Sequence, residues 1–269
     1  MKWRWRLPLI ATVLLLLITS SLVLIATSQL LPRWGAGFAM KKAPGLYVEG
    51  IDGSLFTGNA IKKIWWQQGK TRVELHNGYF NPRLYCLLYA AICIDDFRLE
   101  KLAIYIANGE PSRQPVQLPA LSLPLLLQWH NLNIDAFLIA SESNGTTQTL
   151  VNFDSISSSG RWHGNTLNAN ALKFQWNDSA RGHSNIAVEG NIIFTGNYPV
   201  DASVRLQNEN NNVVLTAEAG GDLAQLSART QLEQPLRAQG TVSMAPLQNA
   251  HPYKANISLL SAYQWQQVH

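Results

Sequence analysis

Past residue 45, apolar and polar residues alternate along the chain with a period of two. A period of two places neighbouring side chains on opposite faces of a β-strand. We therefore expect strands that carry one apolar and one polar face. The clearest apolar sets are Leu102, Ile104 and Ile106; Leu132, Ile134, Ala136 and Leu138; Leu172, Phe174 and Trp176; Val200, Ala202, Val204 and Leu206; and Leu236, Ala238, Val242 and Met244.

Turn signals separate these segments at short intervals. Several short strands at such spacing predict an antiparallel all-β architecture. Between residues 110 and 124 the prolines exclude a central strand, because proline donates no ladder hydrogen bond. We expect that segment to cross the sheet or to form its edge. The turn signals are Gly58-Asn59, Asn77-Gly78, Asn81-Pro82, Asn108-Gly109, Asn144-Gly145, Gly164-Asn165, Gly196-Asn197 and Gly220-Gly221.

The first forty residues follow a different pattern. A basic start leads into an apolar run over residues 7–31, with no charged residue until Arg33. About 20 apolar residues cross a hydrocarbon core of about 30 Å, so the run predicts one transmembrane helix. A cleaved signal peptide has a shorter apolar region, and a buried soluble helix is the third alternative. The residues assigned to the span include Leu9, Val13, Leu16, Leu22 and Ile25.

The expected domain organisation follows from this anchor. Residues 1–6 form a basic cytoplasmic N-terminus, residues 7–31 the signal anchor and residues 32–45 a linker. Residues 46–269 form a β-rich domain on the far side of the membrane. The predicted location is the inner membrane, single-pass, with the bulk of the chain in the periplasm.

Charge does not indicate nucleic acid. The net charge of +4 arises from residues 1–42, which hold six Lys or Arg and no acid. The remainder carries 15 basic and 17 acidic residues. We expect no nucleic-acid partner, since the basic footprint of such proteins is missing.

Two cysteines, Cys86 and Cys93, lie seven residues apart. A disulfide across a tight turn is permitted in an oxidising compartment. The alternative is two small buried hydrophobic side chains.

Catalytic motifs are missing from the sequence. The six histidines show no metal-ligand spacing, and no nucleophile elbow or phosphate-binding glycine loop occurs. Asp95-Asp96 is the one adjacent acidic pair, and on a strand the two side chains would face opposite ways. We therefore predict that the chain is not an enzyme and has no metal or cofactor.

Short motifs in a fixed order resemble the N-terminal part of the TamB family of translocation and assembly module subunits, within the AsmA-like group. No single motif is specific, but their order and spacing cover nearly the whole chain. They are the segment from Pro44 to Leu55, Trp65-Trp66, Asn81-Pro82 with Leu84, the segment from Ile92 to Glu100, Trp162-His163-Gly164, the segment from Gly196 to Val200, and Gly221-Asp222-Leu223.

The resemblance implies an elongated, curled antiparallel sheet with an apolar groove, behind one N-terminal transmembrane helix. It also implies a role in outer-membrane protein or autotransporter assembly, in phospholipid transport between the inner and outer membranes, or in both. The implied partners are the inner membrane, phospholipid and the outer-membrane protein TamA. Family members are several times longer, so the chain is interpreted as a fragment, which weakens the case for TamA. Candidate groove-lining residues are Ile104, Leu132, Ile134 and Leu138.

A second interpretation fits the length and the single span. Type II secretion system protein N also has one N-terminal span followed by β-structure. On that interpretation the chain is complete and belongs to a protein secretion apparatus.

Overall fold

The computed structural model describes residues 28–54, 57–107, 118, 120–143, 146–178, 182–248 and 252–260. The assigned membrane-spanning residues, from Leu9 to Ile25, lie outside these ranges. Within the described ranges, no helix has both the length and the apolar character needed to cross a bilayer. The predicted transmembrane helix therefore stays without structural support.

Strands dominate the described part of the chain, at 73% of its residues. One helix, α1 (Leu30–Lys42), precedes them, and a short 3-10 helix (Leu84–Tyr89) follows the third strand. The strands are β1 (Leu46–Ser54), β2 (Gly58–Gln68), β3 (Thr71–Arg83), β4 (Ala91–Ala107), β5 (Leu123–Ile134), β6 (Phe137–Ser143), β7 (Thr146–Phe153), β8 (Ser155–Gly164), β9 (Thr166–Asp178), β10 (Gly182–Ile193), β11 (Val200–Asn208), β12 (Val213–Asp222), β13 (Gln225–Gln234), β14 (Ala238–Met244) and β15 (Tyr253–Leu259).

All fifteen strands belong to one open, curled sheet, which confirms the all-β prediction. The main path runs β1-β2-β3-β4-β5-β8 and then in sequence order to β15. The β6–β7 hairpin branches from β4. Since successive strands are mostly joined by short turns, most neighbours are antiparallel.

The expectation of a purely antiparallel sheet is wrong at the branch. β4 is long enough to pair in parallel with β5 along its first half and with β6 along its second. The reason is the proline-containing connection between β4 and β5, which cannot serve as a hairpin strand. β5 starts at the end of the sheet where β4 begins, so that Ala91 pairs with Leu126. Most of the connection, residues 108–117 and 119, lies outside the described ranges, and so does most of the segment predicted to cross the sheet or form its edge.

Helix α1 occupies most of the segment predicted to be a linker. It ends at Lys42 because Ala43 precedes a proline and is held in an extended conformation. Lys41 and Lys42 lie in its last turn, where cations favour the helix dipole. The sequence did not predict this helix, because Gly35 and Gly37 lie within it and its apolar residues form no stripe along one face.

A crease runs across the strands of the first half of the sheet. Gly50 and Asn77 have positive φ angles, of +64° and +48°, in the middle of β1 and β3. Bends at Asp135 and Asp154 separate β5 from β6 and β7 from β8. The Asn77-Gly78 dipeptide, predicted to be a turn, is therefore a kink within a strand, at a residue type that tolerates a positive φ.

The crease shifts the apolar pattern by one residue. Leu99 and Leu102 are three positions apart on β4, and both belong to one apolar cluster. Ile134 and Phe137 flank the Asp135 bend in the same way and join the same cluster. The four-residue set of Leu132, Ile134, Ala136 and Leu138 consequently does not share one face, because its alternation breaks at the bend.

Candidate functional site

The apolar cluster at the crease is filled by the protein's own side chains. Leu99, Ile134 and Ile156 are buried at its centre. Aromatic rings close it, with Phe153 centred 5.0 Å from Phe174. The cavity beside Leu99 has a volume of about 30 Å³, too small for an acyl chain. The side chains packed around the three central ones are Leu75, Phe97, Leu102, Leu132, Phe137, Phe153, Leu172 and Phe174.

The four predicted groove residues are distributed over different surroundings. Ile134 is only 7% exposed in the filled cluster, and Leu132 packs against that cluster. Ile104 follows Leu102 at two-residue spacing on β4 and shares its face. Leu138 pairs with Ala103 and lies on the opposite face, since its neighbour Phe137 belongs to the cluster. The structure thus brings Leu132 and Ile134 together and separates Leu138 from them.

The second half of the sheet carries an apolar face over which the described residues form no second layer. We name this surface, formed by β10 to β14, the open face. Half-buried apolar residues alternate with more exposed polar ones most regularly on β11 and also on β13. Among the described residues, the main contacts of these strands with other helices and strands are with their sheet neighbours. The open face includes Ile186, Val188, Ile192, Val200, Ala202, Val204, Leu206, Leu215, Ala217, Ala219, Leu226, Ala228, Leu232 and Val242.

A row of small side chains crosses the open face at right angles to its strands. Gly190 pairs with Ala202, which pairs with Ala219. Ala219 pairs with Ala228, and Ala228 pairs with Val242. Larger residues flank this row on β11, where Val204 and Val200 lie two residues from Ala202, whereas on β12 the flanking residues are the small Ala217 and Gly221. The row therefore forms a shallow track, which we call the small-residue track.

The opposite face of the same strands is polar. A depression of about 790 Å³ lies there, lined by side chains that include Glu189, Arg205, Glu218 and Arg229. Glu218 and Arg229 are directly opposite each other in the β12–β13 ladder. Opposite charges in that position favour pairing of the two strands. This depression is thus lined mainly by polar and charged residues, in contrast to the predicted apolar groove.

Aromatic side chains border the open face at the β8–β10 end. The Trp162 ring lies 5.1 Å from Phe194, whose ring lies 5.2 Å from Tyr198. The indole nitrogen of Trp162 donates a hydrogen bond to the Gly164 carbonyl at 3.0 Å, so its polar atom is satisfied. The sequence did not place these three aromatic residues together, since their meeting depends on the β10–β11 connection.

The adjacent carboxylates Asp95 and Asp96 serve separate ion pairs. Asp95 contacts the guanidinium of Arg83, and Asp96 lies 2.7 Å from that of Arg98. These hydrogen bonds raise the pKa of both arginines. A one-residue register shift places Pro82 opposite Ile94 and Asn81 opposite Asp96, which leaves Asp95 as the bulged residue.

Cys86 and Cys93 form a disulfide in the structure, with Cα atoms 5.9 Å apart. The bond joins the 3-10 helix to the start of β4. Both cysteines are buried together with Ala91, and Leu126 packs against them.

The model of the TamB N-terminal domain matches residues 15–175 and 110–266. The chain belongs to the TamB family. This match confirms the resemblance inferred from the order of the sequence motifs. Neither a curated protein nor a solved structure matches the chain.

Membership in the TamB family gives the chain a general role in the translocation and assembly module. The family is anchored in the inner membrane, with its bulk in the periplasm. The open, curled sheet of this chain is the part of such a protein that the structure describes.

Proposed function

We propose that this TamB N-terminal domain carries phospholipid acyl chains along its open face, as an inner-membrane-anchored periplasmic component. In this role it supports transport of phospholipid between the inner and outer membranes, and through it the assembly of outer-membrane proteins and autotransporters. The supporting observation is an apolar sheet face with no covering layer over β10 to β14 among the described residues. No catalytic step is assigned to the chain.

The dimensions of the open face suit an acyl chain. Strands in a sheet lie about 4.8 Å apart, so five strands span about 20 Å. One leaflet of a bilayer supplies about 15 Å of hydrocarbon, half of the core thickness. An acyl chain laid across the strands would therefore be accommodated along its length.

Burial of apolar surface favours binding of an acyl chain to the open face. Each methylene removed from water stabilises the complex by about 0.8 kcal/mol. The small-residue track lets the chain approach the backbone of Ala202 and Ala219 closely, so that the flanking side chains of β11 contact it from both sides. Large exposed apolar surfaces on soluble domains usually mark interaction sites, which fits this assignment.

The filled cluster has a structural role and does not bind lipid in this proposal. Ile134 and Leu99 fix the curvature of the sheet at the crease and do not contact lipid. The lipid path is therefore assigned to β10 to β14 and not to the groove candidates Ile104, Leu132, Ile134 and Leu138.

Lipid co-purification tests the proposal. The full chain is extracted from membranes and its bound lipid is measured by mass spectrometry. Leu206→Asp, which places a charge on the open face, should reduce bound phospholipid. Gln207→Asp is the matched control, because Gln207 is the next residue on β11 and is exposed on the polar face. Equal lipid in both variants and in the parent chain contradicts the proposal.

TamA remains the partner suggested by family membership, and no contact residue is assigned to it. The type II secretion protein N interpretation draws no support from the family match. It would regain support if the full chain co-purified with components of a secretion apparatus and carried no lipid.

A further inference from the structure

An exposed apolar patch lies at one end of the sheet, far from the open face's small-residue track. The 3-10 helix exposes Leu88 by 84% and Tyr89 by 79%. No charged residue occurs between Leu84 and Ile94 in the sequence. We name this surface the apical patch, and it consists of Tyr85, Leu87, Leu88 and Tyr89 on the 3-10 helix.

A disulfide and side-chain hydrogen bonds fix the 3-10 helix that carries the apical patch. The Cys86–Cys93 disulfide fastens the 3-10 helix to β4, and both sulfurs are buried. At its base, the guanidinium of Arg83 donates hydrogen bonds to Asp95 and, at 3.1 Å, to the Tyr85 hydroxyl. Apolar side chains on a fixed support cannot turn inward to escape water. Their exposure therefore indicates a surface made for contact.

The position of helix α1 identifies the end of the sheet at which the N-terminal segment enters. Arg33, near the start of α1, donates hydrogen bonds to the Ile51 carbonyl and to Asp52 at the far end of β1. The helix thus runs alongside β1 in the opposite direction, and its first residue points beyond Asp52.

The apical patch projects in the same direction. Asp52 of β1 pairs with Ala60 of β2, and Ala60 pairs with Tyr79 of β3. Asp52 and Tyr79 therefore lie at the same level of the sheet. β3 runs parallel to β1 and continues for four more residues to Arg83, about 13 Å at the usual rise per residue. The start of α1 and the apical patch therefore share one end of the sheet, two to three strand spacings apart.

The segment that precedes α1 indicates what the apical patch contacts. The apolar run predicted to span the membrane covers residues 7–31, and most of it precedes Ser28. The first turns of α1 expose Leu30 and Trp34 as well. Tyrosine and tryptophan favour the interface between lipid headgroups and acyl chains.

We infer that the apical patch inserts into the surface of the same bilayer that receives residues 7–31. A single span alone leaves the sheet free to tilt and rotate. A second, disulfide-supported contact fixes the sheet upright on the membrane, with its apical end toward the lipid source. This inference concerns orientation and holds whether or not the open face carries lipid.

Fluorescence quenching in vesicles tests the inference. The full chain is reconstituted into vesicles of phosphatidylcholine and phosphatidylglycerol, with an environment-sensitive fluorophore attached through an azide-bearing residue at position 88. Lipids that carry a nitroxide near the glycerol should quench this fluorophore, because interfacial segments insert by about 5–10 Å. Position 150 is the matched control. Leu150 is also apolar and exposed, but it lies on β7, which pairs with β6 beside the distant half of β4.

Quenching at position 88 without quenching at position 150 supports the inference. No quenching at position 88, or equal quenching at both positions, overturns it. A concentration-dependent fluorescence change at position 88 in lipid-free detergent also overturns it, since that result indicates a second copy of the chain as the occupant. With the fluorophore moved to position 85, Leu87→Asp combined with Leu88→Asp should weaken the quenching while leaving the chain folded, because both side chains are exposed.

Discussion

At the scale of single residues, similar apolar side chains have different tasks in the two halves of the sheet. Leu99 is 4% exposed in the filled cluster, whereas Leu206 is only half-buried on the open face. Their sequence surroundings alternate in the same way, so the sequence alone could not distinguish them. What separates them is whether the crease brings a second set of side chains over them.

The two leucines should differ in their effect on stability. Leu99→Ala leaves a cavity in a packed cluster and should cost about 3 kcal/mol of unfolding free energy. Leu206→Ala removes methyl groups that no layer covers and should cost about 1 kcal/mol or less. Urea denaturation of the full chain, followed by tryptophan fluorescence, measures both. Equal losses would show that the open face is packed as tightly as the crease.

The small-residue track provides a second prediction at this scale. Ala219→Trp should place an indole across the track and reduce bound phospholipid about tenfold, which equals the loss of roughly two methylene contacts. Glu218→Trp is the control, since Glu218 is the neighbouring exposed residue on the polar face. Both variants are quantified by lipid mass spectrometry after purification. The track has no part in lipid binding if the two variants retain the same amount.

At the scale of elements, the sequence was informative wherever alternation was uninterrupted. β11 follows the predicted pattern residue by residue. Prediction failed where a backbone feature changed the phase. Asn77 lies inside β3 because asparagine tolerates the positive φ that the crease needs, and the same property made it resemble a turn. The sequence did not predict the parallel pairing of β4 with β5 and β6 either. That pairing depends on the end of the sheet at which the strand after each connection starts.

The disulfide is the element-scale feature with the clearest test. We expect no thiol of the folded, unreduced chain to react with a maleimide, and two thiols to react after reduction and unfolding. Replacing both cysteines by serine should cost about 2 kcal/mol, from the loop entropy that the crosslink removes. The loss should be accompanied by faster amide exchange in the 3-10 helix, with β12 as the unaffected internal reference. Full thiol reactivity before reduction would rule the bond out.

At the scale of the whole molecule, the fold combines a closed region with an open one. The crease near β4 is stabilised by its own side chains, and the β6–β7 branch is attached there by an ion pair of 2.6 Å between Arg72 and Glu142. From β10 onward the sheet continues as a single layer. An ordinary β-sandwich would have covered its apolar face with a second sheet, and the described residues form no such layer.

The central claim is that lipid lies on the open face and not in the crease. Site-resolved photo-crosslinking tests this claim most directly, with a photoreactive residue placed at position 206, 207 or 134 of the full chain in native membranes. The account predicts phospholipid adducts at position 206, on the open face, and few or none at position 207, on the polar face, or at position 134, in the filled cluster. Adducts at position 134 with none at position 206 would contradict it.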